Sequence, residues 1–127
     1  MDNIASRILI IDDDPALTQA LSVRLRRAGF DVITVNSAID GSSAVVHVHP
    51  DLIILDVDMP SFSGLEFHQC LRFARRASEA PVVYLSGYDS DTNRRIAFEQ
   101  GAVAFMAKPY DAERLISTVN AALGTAP

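Results

Sequence analysis

Lysine and cysteine each occur once in this chain, and its longest apolar runs are only strand-sized. Each scarcity excludes something. A membrane-spanning helix needs about 20 consecutive apolar residues, and no run approaches that length. There is no basic excess either: the net charge is -5, which argues against direct nucleic-acid binding by a positive surface. The polar opening from Met1 to Ser6 lacks the apolar segment of a secretory signal, so the expectation is a cytoplasmic protein with no membrane association. Cys70 has no second cysteine to pair with and reads as a small buried thiol within a helix. A length of 127 residues fits one domain and leaves no room for a second of ordinary size. The expectation is a single domain over 1–127, with its core at about 7–123.

What is present is an ordered set of apolar runs with polar ends. Ile8-Leu9-Ile10-Ile11 runs into Asp12-Asp13-Asp14, and Leu52-Ile53-Ile54-Leu55 runs into Asp56-Val57-Asp58. Val82-Val83-Tyr84-Leu85 ends in Ser86, and Val103-Ala104-Phe105-Met106-Ala107 ends in Lys108, the lone lysine. If the four runs are parallel strands, one edge of a sheet gathers acids, a hydroxyl and an ammonium. Such an edge suits a divalent cation and a phosphoryl group.

Short β-branched runs alternate with segments of helical period, the pattern of a parallel sheet covered on both faces. The spacing predicts strands near 7–12, 31–35, 51–56, 81–86 and 103–107, and helices near 15–28, 37–47, 64–76, 90–99 and 111–123. The fold class is therefore α/β, a doubly wound five-stranded parallel sheet with helices on both faces. Asp14-Pro15 supplies an N-cap oxygen and a preset first turn. Leu17, Leu21 and Leu25 share one helical face, and Gly29 supplies the stop. Gly41, Val45, Val46 and Val48 weaken the second helix and blur its ends.

Asp12, Asp13 and Asp56 at neighbouring strand ends would repel one another. Two unit charges 4 Å apart cost roughly 1 kcal/mol in water-like surroundings and about 4 kcal/mol at an effective dielectric near 20. Mg²⁺ would relieve this, because it takes hard oxygen ligands and keeps waters and room for phosphate; no loop has the spaced ligands of a calcium cage. Helix capping alone also accommodates Asp12 and Asp13, Ser86-Gly87 also suits a plain turn, and Lys108 also suits a solvated surface. The order and convergence of the residues favour the site.

In this order and spacing the chain resembles the response-regulator receiver domain of two-component signalling, over Arg7 to about Leu123. The motifs are Ile-Leu-Ile-Ile-Asp-Asp-Asp-Pro at 8–15, Pro-Asp-Leu-Ile-Ile-Leu-Asp-Val-Asp-Met-Pro at 50–60 with Gly64, Pro-Val-Val-Tyr-Leu-Ser-Gly at 81–87, and Gly-Ala-Val-Ala-Phe-Met-Ala-Lys-Pro-Tyr at 101–110. The resemblance implies a flavodoxin-like strand order of 2-1-3-4-5. It implies Asp56 as phosphoacceptor, taking a phosphoryl group from a sensor histidine kinase or phosphotransfer protein. It implies Mg²⁺, with Mn²⁺ as a substitute, on Asp13, Asp56 and the Asp58 backbone carbonyl, with Asp12 acting through water. Ser86 and Lys108 would bind the phosphoryl group, Lys108 pairing with Asp56 before transfer. Ser86 and Phe105 would switch the face made by the fourth helix, fifth strand and fifth helix. The expected output is an effector or a phosphorylation-dependent homodimer, and the only catalysis is the domain's own phosphorylation and slow dephosphorylation.

Asp58 stands where the family varies, and Tyr88 lies two residues past Ser86. The first adds negative charge beside the site, which suggests an effect on metal attraction or phosphate lifetime; the second suggests a screen against water. His47-Val48-His49 at a helix end reads as easing the helix dipole rather than as a metal cluster, and His68 shows no evident partner. Arg24, Arg26 and Arg27, like Arg72, Arg75 and Arg76, read as solvated helix faces. Asp56-Val57-Asp58 also suits a haloacid-dehalogenase-like phosphohydrolase, but there the lysine precedes the later acid pair, and here Asp12-Asp13 comes first.

Overall fold

A computed structural model describes residues 5–59, 63–74, 79–88 and 90–125. Five strands, β1 (Arg7–Ile11), β2 (Asp31–Val35), β3 (Leu52–Asp56), β4 (Val82–Ser86) and β5 (Ala104–Ala107), alternate with five helices, α1 (Pro15–Arg27), α2 (Ala38–Val48), α3 (Gly64–Ala74), α4 (Asp91–Glu99) and α5 (Ala112–Leu123). The strands form one parallel sheet in the order β2-β1-β3-β4-β5. Every residue of β3 and β4 is buried, because helices cover both faces and leave continuous apolar runs as the only sequence that fits.

Alternation within the strands divides the core in two. Leu9, Ile11, Ile53, Leu55, Tyr84 and Phe105 point to the side holding Val45, Phe67, Leu71 and Ala97, which belong to α2, α3 and α4. Ile8, Ile10, Ile54, Val83, Leu85 and Met106 point to the side of α1 and α5, where Leu21, Leu25, Leu115 and Val119 lie.

The helix starts are built from side-chain oxygens. Asp14 accepts from the N–H groups of Ala16 and Leu17, Ser37 from Asp40, Ser90 from Asn93, and Asp111 from Glu113 and Arg114, each satisfying donors left open in a first turn. The expected starts at 37, 90 and 111 are thus caps one residue outside the helix. The second helix is intact despite Gly41. A Cβ at that position would lie 2.8 Å from Ile11 Cδ1, so the glycine lets α2 lie close on β1. Gly64 has a similar reason, since a Cβ there would meet the backbone of Asp56 and Val57.

Cys70 corrects the sequence expectation: it is exposed. Its neighbours Phe67, His68 and Leu71 are buried, and the helical turn leaves Cys70 on the outer side of α3. Leu17 is only half-buried, while Thr18 and Ser22 join Leu21 and Leu25 on the inner face of α1. The ends expected at 75–76 lie outside the described residues. No helix among the described residues is long and apolar enough to cross a membrane.

Candidate functional site

Backbone hydrogen bonding carries the sheet past the strand ends and sets the site residues side by side. Asp12 N–H donates to Val35 O at 3.2 Å, Val57 N–H to Leu85 O at 3.1 Å, and Lys108 N–H to Ser86 O at 2.7 Å. Asn36 adds a brace: its Nδ2 donates to Asp12 O at 2.8 Å and to Thr18 Oγ1 at 3.2 Å. The Lys108-Pro109 peptide bond is cis.

Three of the residues singled out by sequence meet directly. Lys108 Nζ lies 3.0 Å from Asp12 Oδ2 and 3.4 Å from Asp56 Oδ1. Asp12 and Asp56 are buried, while Asp13 is exposed at the rim. Carboxylate oxygens of Asp12, Asp13 and Asp56 lie within 4.8 Å of one another. This donor set is entirely hard oxygen and fits a divalent cation of the magnesium type. Acidic groups at the mouth and a single ammonium within leave excess negative charge for such an ion to neutralise.

Burial governs the electrostatics. It pushes the Asp56 carboxyl up to about 6, and the charges of Asp12 and Asp58 add to the rise, against the pull of the Asp58 N–H hydrogen bond and of Lys108. Burial opposes the charge on Lys108, but its hydrogen bond to Asp12 and the field of Asp56 and Asp12 outweigh that and raise its pKa.

Ser86 is wholly buried at the end of β4, and its hydroxyl does not reach Asp56. It donates toward Asp58 Oδ1 and Oδ2, each at 3.1 Å, and toward Tyr88 O at 3.2 Å. Gly87 N–H also donates to Asp58 Oδ2, at 2.7 Å, and Tyr88 N–H donates to Ser86 Oγ at 2.9 Å. Asp58 N–H in turn donates to Asp56 Oδ1 at 2.9 Å. The sequence placed an acid at 58 but held no signal that its side chain spans to residues 86 and 87. The Tyr88 side chain is 72% exposed, so its ring stands out from the site.

Phe105 is buried, opposite Tyr84 in the β4–β5 register, and the Arg94 guanidinium lies 5.0 Å from its ring centroid. His68, which had no partner in sequence, shares a buried hydrogen bond with the Tyr84 hydroxyl. Burial lowers its pKa to about 4, with Arg72 adding to the effect, while burial pushes the Tyr84 hydroxyl upward. His47 Nδ1 meets Ser43 O at 2.8 Å and His49 ends α2 in a left-handed conformation; neither belongs to a metal-ligating group among the described residues. Two of the arginines do more than face solvent: Arg26 donates to Val32 O and Arg72 to Gln100 O.

A five-stranded 2-1-3-4-5 sheet with buried acids, a hydroxyl and a lysine at its carboxyl edge defines a flavodoxin-like receiver. The family model for the response regulator receiver domain matches residues 8–120, and the chain belongs to that family, the signalling domain of two-component response regulators. It is 38% identical over 92% of its length to the DNA-binding dual master transcriptional regulator RpaA of a Synechocystis species, covering 48% of that protein. It is 32% identical over 97% of its length to the DNA-binding response regulator MtrA of Mycolicibacterium smegmatis, covering 53% of that protein. The chain thus spans about half the length of these two curated relatives, whereas at 31% identity over 93% of its length it covers 98% of Protein PilH of Pseudomonas aeruginosa. The solved structure of Vibrio cholerae chemotaxis protein CheY4 superposes with a TM-score of 0.88 at 27% identity, over 94% of this chain and 100% of that one.

Proposed function

We propose that this chain is a single receiver domain over 1–127 in which Asp56 accepts a phosphoryl group from a phosphohistidine on a sensor kinase or phosphotransfer protein. The observation that carries the reading is the convergence of Asp12, Asp56 and Lys108 at the ends of three strands from distant parts of the chain. In the transfer, an Asp56 oxygen attacks phosphorus, the phosphorus–nitrogen bond breaks, and the imidazole leaves with a proton. Positioning and charge neutralisation are most of what such a transfer needs. Lys108 holds Asp56 in place beforehand and moves to the phosphoryl oxygens afterwards; Ser86 donates to one of them. Asp13, Asp56 and the Asp58 carbonyl would hold Mg²⁺, or Mn²⁺ in its stead, with Asp12 acting through water. The ion supplies positive charge to the phosphoryl oxygens when bound.

The domain acts as a switch in the cytoplasm rather than as an enzyme on an outside substrate. Ser86 and Phe105 relay phosphorylation to the α4-β5-α5 face, which an effector or a second copy of the chain then reads. Incubation with acetyl phosphate and Mg²⁺, followed by intact-mass and peptide analysis, tests the proposal. One phosphoryl group per chain on Asp56, and none in Asp56→Ala, is expected. Undiminished labelling of Asp56→Ala, or repeated turnover of small phosphoesters, would overturn it.

A further inference from the structure

The donors suited to a phosphoryl group beside Asp56 are already in use. The Ser86 hydroxyl and the Gly87 amide both point at the Asp58 carboxylate, an anion whose two oxygens can take the place of two phosphoryl oxygens. Hydrogen bonds from neutral donors to an ionised acceptor are the short, strong kind, and the 2.7 Å contact from Gly87 is of that length. Local geometry brings Asp58 there: its own N–H is fixed on Asp56 Oδ1, two residues back. The other end of the arrangement is closed too, because Tyr88 N–H occupies the Ser86 oxygen as acceptor. Asp58 is only half-buried, so its side chain has a path outward to water, while Ser86 is fully enclosed.

We propose that Asp58 is an internal anion that occupies the Ser86 and Gly87 donors in the unmodified protein and must vacate them when the phosphoryl group arrives. The inference rests on the phosphoacceptor reading of Asp56. It makes Asp58 a positioning residue: it holds Ser86 in the resting arrangement and competes with the phosphoryl group for the same two hydrogens. Phosphorylation is then an exchange of one anion for another on a fixed pair of donors, and the resting state is favoured by the strength of the Asp58 contacts.

The test compares wild type, Asp58→Ala, Asp58→Asn, Ser86→Ala and the Asp58→Ala/Ser86→Ala double variant. Beryllium fluoride binding with Mg²⁺ is read by amide NMR, and the rate of labelling by acetyl phosphate is measured alongside. Asp58→Ala is expected to tighten beryllofluoride binding and speed labelling by about tenfold, the scale of losing one competing charge-assisted contact. The neutral amide in Asp58→Asn should give a smaller gain. In the unmodified protein the Gly87 amide proton should move upfield in Asp58→Ala, as expected for loss of a strong hydrogen bond. The gain in affinity should shrink when Ser86 is already alanine, because part of the contested pair is gone. A gain of equal size in the Ser86→Ala background would mean that Asp58 acts through its field alone and would overturn the inference. An unmoved Gly87 resonance, or equal affinities and rates with Asp56 still labelled, would overturn it as well and leave the phosphoacceptor reading standing. If no variant is labelled at Asp56 and none binds beryllofluoride, both readings fall together.

Discussion

The two ends of the sheet each tie a cation to an aspartate, and they differ in what surrounds the pair. At the amino end Arg7 Nε pairs with Asp31 Oδ2 at 3.0 Å, while Asp51 Oδ2 accepts only from the Arg7 backbone N–H. The side chains of Arg7 and Asp31 are 44% and 50% exposed. At the carboxyl end Lys108 pairs with Asp12 at the same 3.0 Å, yet the two side chains are 23% and 2% exposed. Distance is therefore not what separates a surface tie from a chemical site. Water screens the first pair and makes it worth little, whereas desolvation makes the second depend on every compensating charge it can find.

Substitution of the two cations is the strongest way to break this comparison. After the loss of labelling expected for Asp56→Ala, the next largest effect belongs to Lys108→Ala. It should slow labelling by about a hundredfold, the scale of removing one electrostatic donor from a reacting centre. It should also lower stability by about 3 kcal/mol in urea unfolding without metal, because two buried carboxylates lose their partner. If Lys108→Ala and Arg7→Ala destabilise equally, the distinction by burial fails.

Divalent metal should act only at the carboxyl end. Mg²⁺ should raise the melting temperature saturably, with a stabilisation of about 2.7 kcal/mol when the ion exceeds its dissociation constant a hundredfold. Asp13→Asn should weaken this response and Asp51→Asn should not. A melting temperature indifferent to Mg²⁺ would show that the acids are relieved by Lys108 alone.

His68 sharpens the comparison as a buried titratable group that pairs with a hydroxyl, that of Tyr84, and with no carboxylate among the described residues. Its pKa is lowered from the ordinary 6.5 to about 4, so between these values the unfolded chain binds more protons than the folded one. Stability from this group is therefore complete above about pH 6.5 and is lost as pH falls toward 4, by at most about 1.4 kcal/mol per pH unit. Asp56, raised to about 6, contributes with the opposite sign over much of that range. The His68 slope is therefore read as the difference between wild-type and His68→Gln urea midpoints, which should widen as pH rises from 4 to 6.5. The smallest effect is at the amino end, where Arg7→Ala should cost less than about 1 kcal/mol and diminish further in high salt.

Much of the fold was legible because period and capping are local. Four apolar runs, the helical period and the Asp14 cap locate most elements to within a residue or two, while the capping by Ser37, Ser90 and Asp111, read as first helical residues, came from the structure. Cys70 was misread because residue type alone does not say which side of a helix faces water. The effect of Gly41 was misjudged for a related reason: its cost to the helix is local, and its use lies in contact with Ile11 on another element. Of the site, the positions of Asp12, Asp13, Asp56, Ser86 and Lys108 at strand ends could be read from the chain, but not the partners each would choose.

The sequence by itself determined the alternation of strands and helices, the polar residues that end the strands, and family membership, because these depend on side-chain type and short-range spacing. Only the tertiary structure decided that Lys108 binds Asp12 more closely than Asp56, that Asp58 holds Ser86 and Gly87, and that His68 meets Tyr84. Those contacts join residues far apart in sequence. They depend on the register of the sheet, the rotation of each helix and the removal of water, which arise together when the chain packs.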